Sequence, residues 1–140
     1  MVDTISPERR SANMRAIRGR DTKPERFVRQ IAHALGYRFT LHGRGLPGRP
    51  DLVFSRRRKA VFVHGCFWHG HAGCRFAYRP KTRPEWWAAK IEATRARDKD
   101  AVESLAQAGW KSLVVWECEC VDRDAVAESL VRFLGETRCP

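Results

Sequence analysis

No stretch of this 140-residue sequence is long and apolar enough to span a bilayer. Its first twenty residues are polar and basic, without the apolar core of a signal peptide. Internal repeats and low-complexity segments are absent. The five cysteines, at positions 66, 74, 118, 120 and 139, are odd in number, which argues against a disulfide framework in a chain lacking a secretion signal. These absences disfavour a membrane protein, a repeat array and a disulfide-stapled secreted domain, and they lead us to expect a cytoplasmic protein. Acidic residues are also scarce, 16 against 27 Lys and Arg, giving a formal net charge of +11. So large an excess on one small domain calls for a polyanionic partner, with nucleic acid the first candidate. A basic ribosome-associated or membrane-surface protein is the alternative on charge alone.

What is present suits one domain: 43% of the residues are hydrophobic, enough for a single core. Residues 1–20 read as a basic arm, with Arg9, Arg10, Arg15, Arg18 and Arg20. Met14 and Ile17 stand at helical spacing, so the arm is expected to order on DNA, with arginines such as Arg15 and Arg18 contacting phosphates. Residues 21–140 form the domain proper. Thr22-Lys-Pro-Glu25 is a capping box opening a helix over about 23–36, with Phe27, Ile31 and Leu35 on one stripe and Gly36 as its stop. Strands are expected at 37–42, 51–54 and 60–64, and an irregular segment at 65–83. Thr82-Arg-Pro-Glu85 repeats the capping box before a long helix to about Ala108; a buried strand follows over 111–118 and a last helix from about Asp122 to Leu134. Helices and strands in this order predict a mixed α/β fold, a β-sheet flanked by helices.

Four features carry chemistry. Asp51 follows a Gly/Pro-rich loop and opens an apolar strand, where a carboxylate can hold Mg²⁺ over a phosphodiester; an ordinary turn Asp is the plain alternative. Asp98 sits in an otherwise apolar stripe with Ile91, Thr94, Val102 and Leu105, so it needs a partner: either a reaction centre or a core Arg. Glu25 is explained by the helix cap, although it could face the same site. His64, His69 and His71 lie within eight residues, and an imidazole is well suited to take a proton from water near neutral pH.

Cys66, His71 and Cys74 have the look of three zinc ligands, with Cys118 the choice for the fourth and Cys120 its rival. Four protein ligands make a structural site. Aromatics are placed oddly: Phe67-Trp68 in the His-rich loop, and Trp86-Trp87 adjacent at the start of a helix, where both cannot face the core. On a basic protein they suggest stacking on bases or wedging between them.

Asn13-Met-Arg-Ala-Ile17, Leu46-Pro-Gly-Arg-Pro-Asp51, His64-Gly-Cys-Phe-Trp-His69, Arg97-Asp98 and Gly109-Trp110 with Val115-Trp-Glu-Cys118 together resemble the very short patch repair endonucleases, in the right order over most of the chain. The resemblance implies a restriction-endonuclease-like core and nicking 5′ to the T of a T:G mismatch left by deamination of 5-methylcytosine. It makes Asp51 the Mg²⁺ ligand with the main-chain carbonyl of Val63, and His69 the general base, with Glu25, His64 and Asp98 around the reaction centre. It makes Cys66, His71, Cys74 and Cys118 the ligands of a structural Zn²⁺. Phe67, Trp68 and Trp87 become a wedge beside the mismatch, with Met14 entering from the other groove and Lys90 near the mismatched bases. A MutL-type repair protein and a cognate cytosine-5 methyltransferase are the implied partners of a monomer. The acidic-x-Lys of most restriction-like nucleases is missing; Val61-Phe-Val-His64 stands there. Two rivals remain at this level: a restriction-type or defence nuclease of the same fold, and a non-catalytic zinc DNA-binding module.

Overall fold

Thr22 caps the first helix as its sequence demands. Its hydroxyl accepts from the Glu25 N–H at 3.4 Å, and the Glu25 carboxylate accepts from the Thr22 N–H at 3.1 Å. The computed structural model describes residues 22–136 apart from Arg44 and Arg79. The expected arm, with Met14, Arg15 and Arg18, therefore lies outside the described residues. The elements in chain order are α1 (Lys23–Ala34), β1 (Thr40–Leu41), β2 (Leu52–Phe54), β3 (Lys59–His64), α2 (Pro84–Gln107), β4 (Lys111–Trp116) and α3 (Arg123–Leu134). Short 3₁₀ turns follow β2 and β4, at Ser55–Arg57 and Glu117–Glu119.

The four strands form one mixed sheet in the order β1-β2-β3-β4. β1 and β2 pair antiparallel, as do β2 and β3, whereas β3 and β4 run parallel with His64 opposite Trp116. The period-2 alternation of β3 divides the core. Val61 and Val63 face a larger cluster with Val28 and Ile31 of α1 and Val126, Leu130 and Leu134 of α3. Ala60 and Phe62 face a smaller one with Ala101 and Leu105 of α2. Thus α1 and α3 pack against one face of the sheet and α2 against the other.

Three local expectations are corrected. The strand expected at 37–42 shrinks to Thr40–Leu41. Tyr37 is instead drawn back to the helix end: its N–H bonds to the Ala32 carbonyl and its hydroxyl donates to the Gly135 carbonyl at 2.5 Å, tying α1 to the end of α3. The capping box at Thr82 does not form, because Arg83 is the N-cap in a left-handed conformation with Pro84 in the first turn. The strand expected over 111–118 ends at Trp116, and Cys118 lies in the 3₁₀ turn. The polar turn at 55–59 has a task as well. Arg57 and Lys59 donate to the Leu134 and Phe133 carbonyls, at 3.2 and 2.6 Å, and so cap the end of α3 with positive charge.

Candidate active site

His64 is the next residue after Phe62 on the α2 side of β3, so the strand's own alternation aims it at the long helix. There Asp98 meets it, with Oδ1 3.9 Å from the His64 Nε2. The other oxygen of Asp98 lies 2.6 Å from Nδ1 of His69. Since a carboxylate only accepts, Nδ1 of His69 donates, which leaves Nε2 as the nitrogen that can accept when the ring is neutral. The rings of His64 and His69 stack at 3.8 Å with 1° between their planes. His64 is buried, and its Nδ1 has no hydrogen-bond partner among the described residues. Burial, aided by the neighbouring His69, pushes the His64 pKa down to about 4, against the opposing pull of Asp98, so this ring is neutral near pH 7. Among the described residues, the partner that the sequence required for Asp98 is this histidine pair and not a core Arg. The buried stripe of α2 runs through Ile91, Ala101 and Leu105, with Asp98 only half-buried beside it.

The loop carrying His69 is laid directly on α2 through Gly70, which has φ +59°. A Cβ there would come within 2.6 Å of Ile91 Cγ2. Gly48 does the same for the loop before Asp51, where a Cβ would lie 2.5 Å from that of Ala101. Asp51 itself is locked to β3: its N–H donates to the Val61 carbonyl at 3.0 Å, and its Oδ2 accepts from the Val63 N–H at 2.6 Å. Burial drives the Asp51 pKa up to about 8, and Glu25 adds to the rise; the Val63 hydrogen bond and Arg29 only partly offset it. Glu25 therefore serves two masters, capping α1 and acting on Asp51.

One cleft of about 1090 Å³ is lined by Glu25, Asp51, Val63, His64, His69 and Asp98. Phe67, Trp68 and Lys90 line it too. Trp87 stands behind, its ring 5.2 Å from Phe67 and 5.7 Å from Trp68. Lys90 lies 5.5 Å from the centre of the half-exposed Trp86 ring. Tyr78, Arg97 and Glu117 also line the cleft; Arg97 and Glu117 belong to segments that carry the family resemblance without a role attached, and Tyr78 is marked by no sequence signal.

Cys66, His71, Cys74 and Cys118 bring their donor atoms within 4.8 Å of one another and could hold a metal ion. Zinc–sulfur bonds of about 2.3 Å put tetrahedral ligand sulfurs about 3.8 Å apart, so this donor set fits zinc. His71 presents Nδ1, 3.5 Å from the Cys118 sulfur, and the Cys118 N–H donates to the Cys66 sulfur at 3.3 Å. Cys120 stands apart. Its sulfur is 3.6 Å from the Trp116 carbonyl, and burial raises its pKa to about 12. Four protein donors leave no open position, the arrangement of a structural site.

Residues 2–75 match the family described as DNA mismatch endonuclease Vsr. The chain is 51% identical over 134 residues to the type II nicking enzyme V.XorIIP of Xanthomonas oryzae pv. oryzae, covering 96% of this chain and 98% of that one. It is 39% identical over 140 residues to the DNA mismatch endonuclease Vsr of Escherichia coli, covering 99% and 89%. It is 36% identical over 138 residues to the type II nicking enzyme V.NmeAIP of Neisseria meningitidis, covering 99% and 98%.

Proposed function

This chain belongs to the DNA mismatch endonuclease Vsr family and is a DNA endonuclease, and from that premise we propose that it nicks duplex DNA 5′ to the T of a T:G mismatch and so initiates very short patch repair. The observation that carries this reading is the meeting, in one aromatic-lined cleft, of the Glu25–Asp51 carboxylates with the Asp98–His69 pair.

Asp51 and the main-chain carbonyl of Val63 would hold Mg²⁺, with Glu25 nearby. The chemistry fits. A carboxylate whose charge is disfavoured by burial and by a second carboxylate gains most from a divalent cation. In a strand, a residue's N–H and C=O point to the same side, so the Val63 carbonyl shares the side on which its N–H meets Asp51. Bound there, Mg²⁺ would supply charge stabilisation at the scissile phosphate and the leaving 3′ oxygen. His69 takes the proton of the attacking water at Nε2, because Asp98 fixes the proton on Nδ1. His64, neutral, buttresses the ring of His69 by stacking. Cys66, His71, Cys74 and Cys118 would hold zinc, which would staple the loop that carries His69 and the aromatics.

Phe67 and Trp68, backed by Trp87, enter the stack beside the mismatch, with Lys90 near the mismatched bases. Met14 would approach from the opposite groove, and Arg15 and Arg18 would hold phosphates. The mixed sheet is read as a restriction-endonuclease-like core, acting as a monomer in the cytoplasm beside a cytosine-5 methyltransferase and a MutL-type protein. The test is nicking by purified protein with Mg²⁺ on a matched duplex and on every single mismatch, in several flanking sequences. A nick 5′ to the T of T:G alone is expected. Equal cutting of matched duplex would make it a restriction-type nuclease, and binding without cutting would make it a zinc DNA-binding module.

A further inference from the structure

One aromatic ring meets both the Cys/His cluster and the histidine pair of the cleft. Trp116 ends β4 opposite His64, and its indole stacks face to face on the His71 ring at 4.0 Å and 6°. The same indole meets His64 edge-on at 5.3 Å and 77°, and His69 at 6.5 Å and 76°. Its backbone is pinned as well, since the Trp116 N–H donates to the Glu119 carboxylate at 3.1 Å, closing the turn that carries Cys118. The next residue, Glu117, accepts from the Cys66 N–H at 3.2 Å. Three consecutive residues, 116 to 118, thus each grip the Cys/His loop in a different way.

We infer that Trp116 is a positioning residue that sets the orientation of the His64–His69 pair by reference to the Cys/His cluster. The chain of contacts is short and stiff. The cluster holds His71, the His71 face holds the indole plane, and the indole stands at nearly a right angle to the two stacked imidazoles. Indole has two side-chain torsions and a large flat surface, so a ring held on one face has little freedom to move against its other neighbours. This inference rests on the proposed role of His69 as base. It adds that the metal site acts on the chemical step as well as on stability, through an aromatic residue that touches neither substrate nor metal.

Trp116→Leu keeps apolar bulk but removes the ring that meets both His71 and the His64–His69 pair. Trp116→Phe keeps a ring that can still stack on His71. Each purified variant is first checked for one bound metal per chain and a cooperative melt. Single-turnover nicking of saturating T:G duplex and the binding affinity for that duplex are then measured beside His69→Ala. A displacement of catalytic groups by about 1 Å costs on the order of 10²-fold in rate. We expect Trp116→Leu to lower the single-turnover rate by about that factor with affinity within about threefold, and Trp116→Phe to recover most of the loss. Rate and affinity falling together, a normal rate in Trp116→Leu, or Phe doing no better than Leu would each overturn the positioning role. If Trp116→Leu does not fold, a Phe variant that nicks at the wild-type rate with its ring rotated away from His71 in a crystal structure overturns it equally. Normal nicking by His69→Ala would sink the reading of the site itself, which a normal rate in Trp116→Leu alone would not.

Discussion

Nδ1 of His69 lies 2.6 Å from Oδ2 of Asp98, so a helix carboxylate fixes which nitrogen of a loop histidine carries the proton. His69→Ala should lower the nicking rate by roughly a hundredfold or more, the scale of a lost general base. Asp98→Asn should lower it by a similar factor, about 10²-fold, because an amide can donate to Nδ1 and leave the proton on Nε2 instead. Single-turnover rates on T:G duplex check both. A wild-type rate in Asp98→Asn would show that the tautomer is irrelevant, and a larger loss in His64→Ala than in His69→Ala would reverse the two histidines.

Asp51→Ala should abolish nicking and leave mismatch binding nearly intact, because the proposed binding contacts fall to other side chains, the aromatics and the arginines. Gel-shift titration and a nicking assay on one preparation separate the two effects. Retained activity would remove Asp51 from the mechanism.

The raised pKa of Asp51, about 8, makes a statement about stability. A carboxyl group whose folded pKa is raised stabilises the fold while protonated, below its ordinary value near 3.8, and that contribution is lost as pH climbs toward 8. Asp51→Asn cannot ionise yet can still accept from Val63. Without Mg²⁺, its melting temperature relative to wild type should therefore rise by several degrees between pH 5 and pH 8.5. Adding Mg²⁺ at the higher pH should narrow the gap. A gap independent of pH would mean that Asp51 is not strained by its surroundings.

Elemental analysis should find one zinc per chain. Cys118→Ser should lower both zinc content and melting temperature, whereas Cys120→Ser, outside the cluster, should keep the zinc. Equal losses from the two changes would dismantle the ligand set.

Trp68→Ala should weaken binding to T:G duplex far more than binding to matched duplex. Opening the stack costs a few kcal/mol per step and is least costly where pairing is already weak. Replacing Arg15 or Arg18 should weaken both duplexes alike and flatten the salt dependence. Titrations of both duplexes at two salt concentrations distinguish these patterns. A uniform loss from Trp68→Ala would reduce that ring to packing for the loop.

Local signals were legible in the sequence, and long-range ones less so. The Thr22 cap, the apolar runs of β2 and β3, and the His/Cys spacing depend on near neighbours. So does the aim of His64, which follows from alternation along β3. The choice between Cys118 and Cys120 does not, because two residues apart in a strand they would share a face. The 3₁₀ turn after Trp116 breaks that alternation and sends the two thiols apart. Trp116 and Glu117 meet partners 45 to 52 residues earlier in the chain, so nothing in their own neighbourhood announced them. The capping box accounts for Glu25 locally and leaves open whether it also faces the site; its effect on Asp51 comes from tertiary packing, which a helix-end pattern does not encode.

Val63 divides its labour between its two halves. Its amide holds Asp51 while its side chain is buried in the main core. The polypeptide backbone is the same whatever residue stands there, so the amino acid at 63 is answerable to packing alone. One core-filling residue can therefore replace another at 63 and leave the grip on Asp51 as it is.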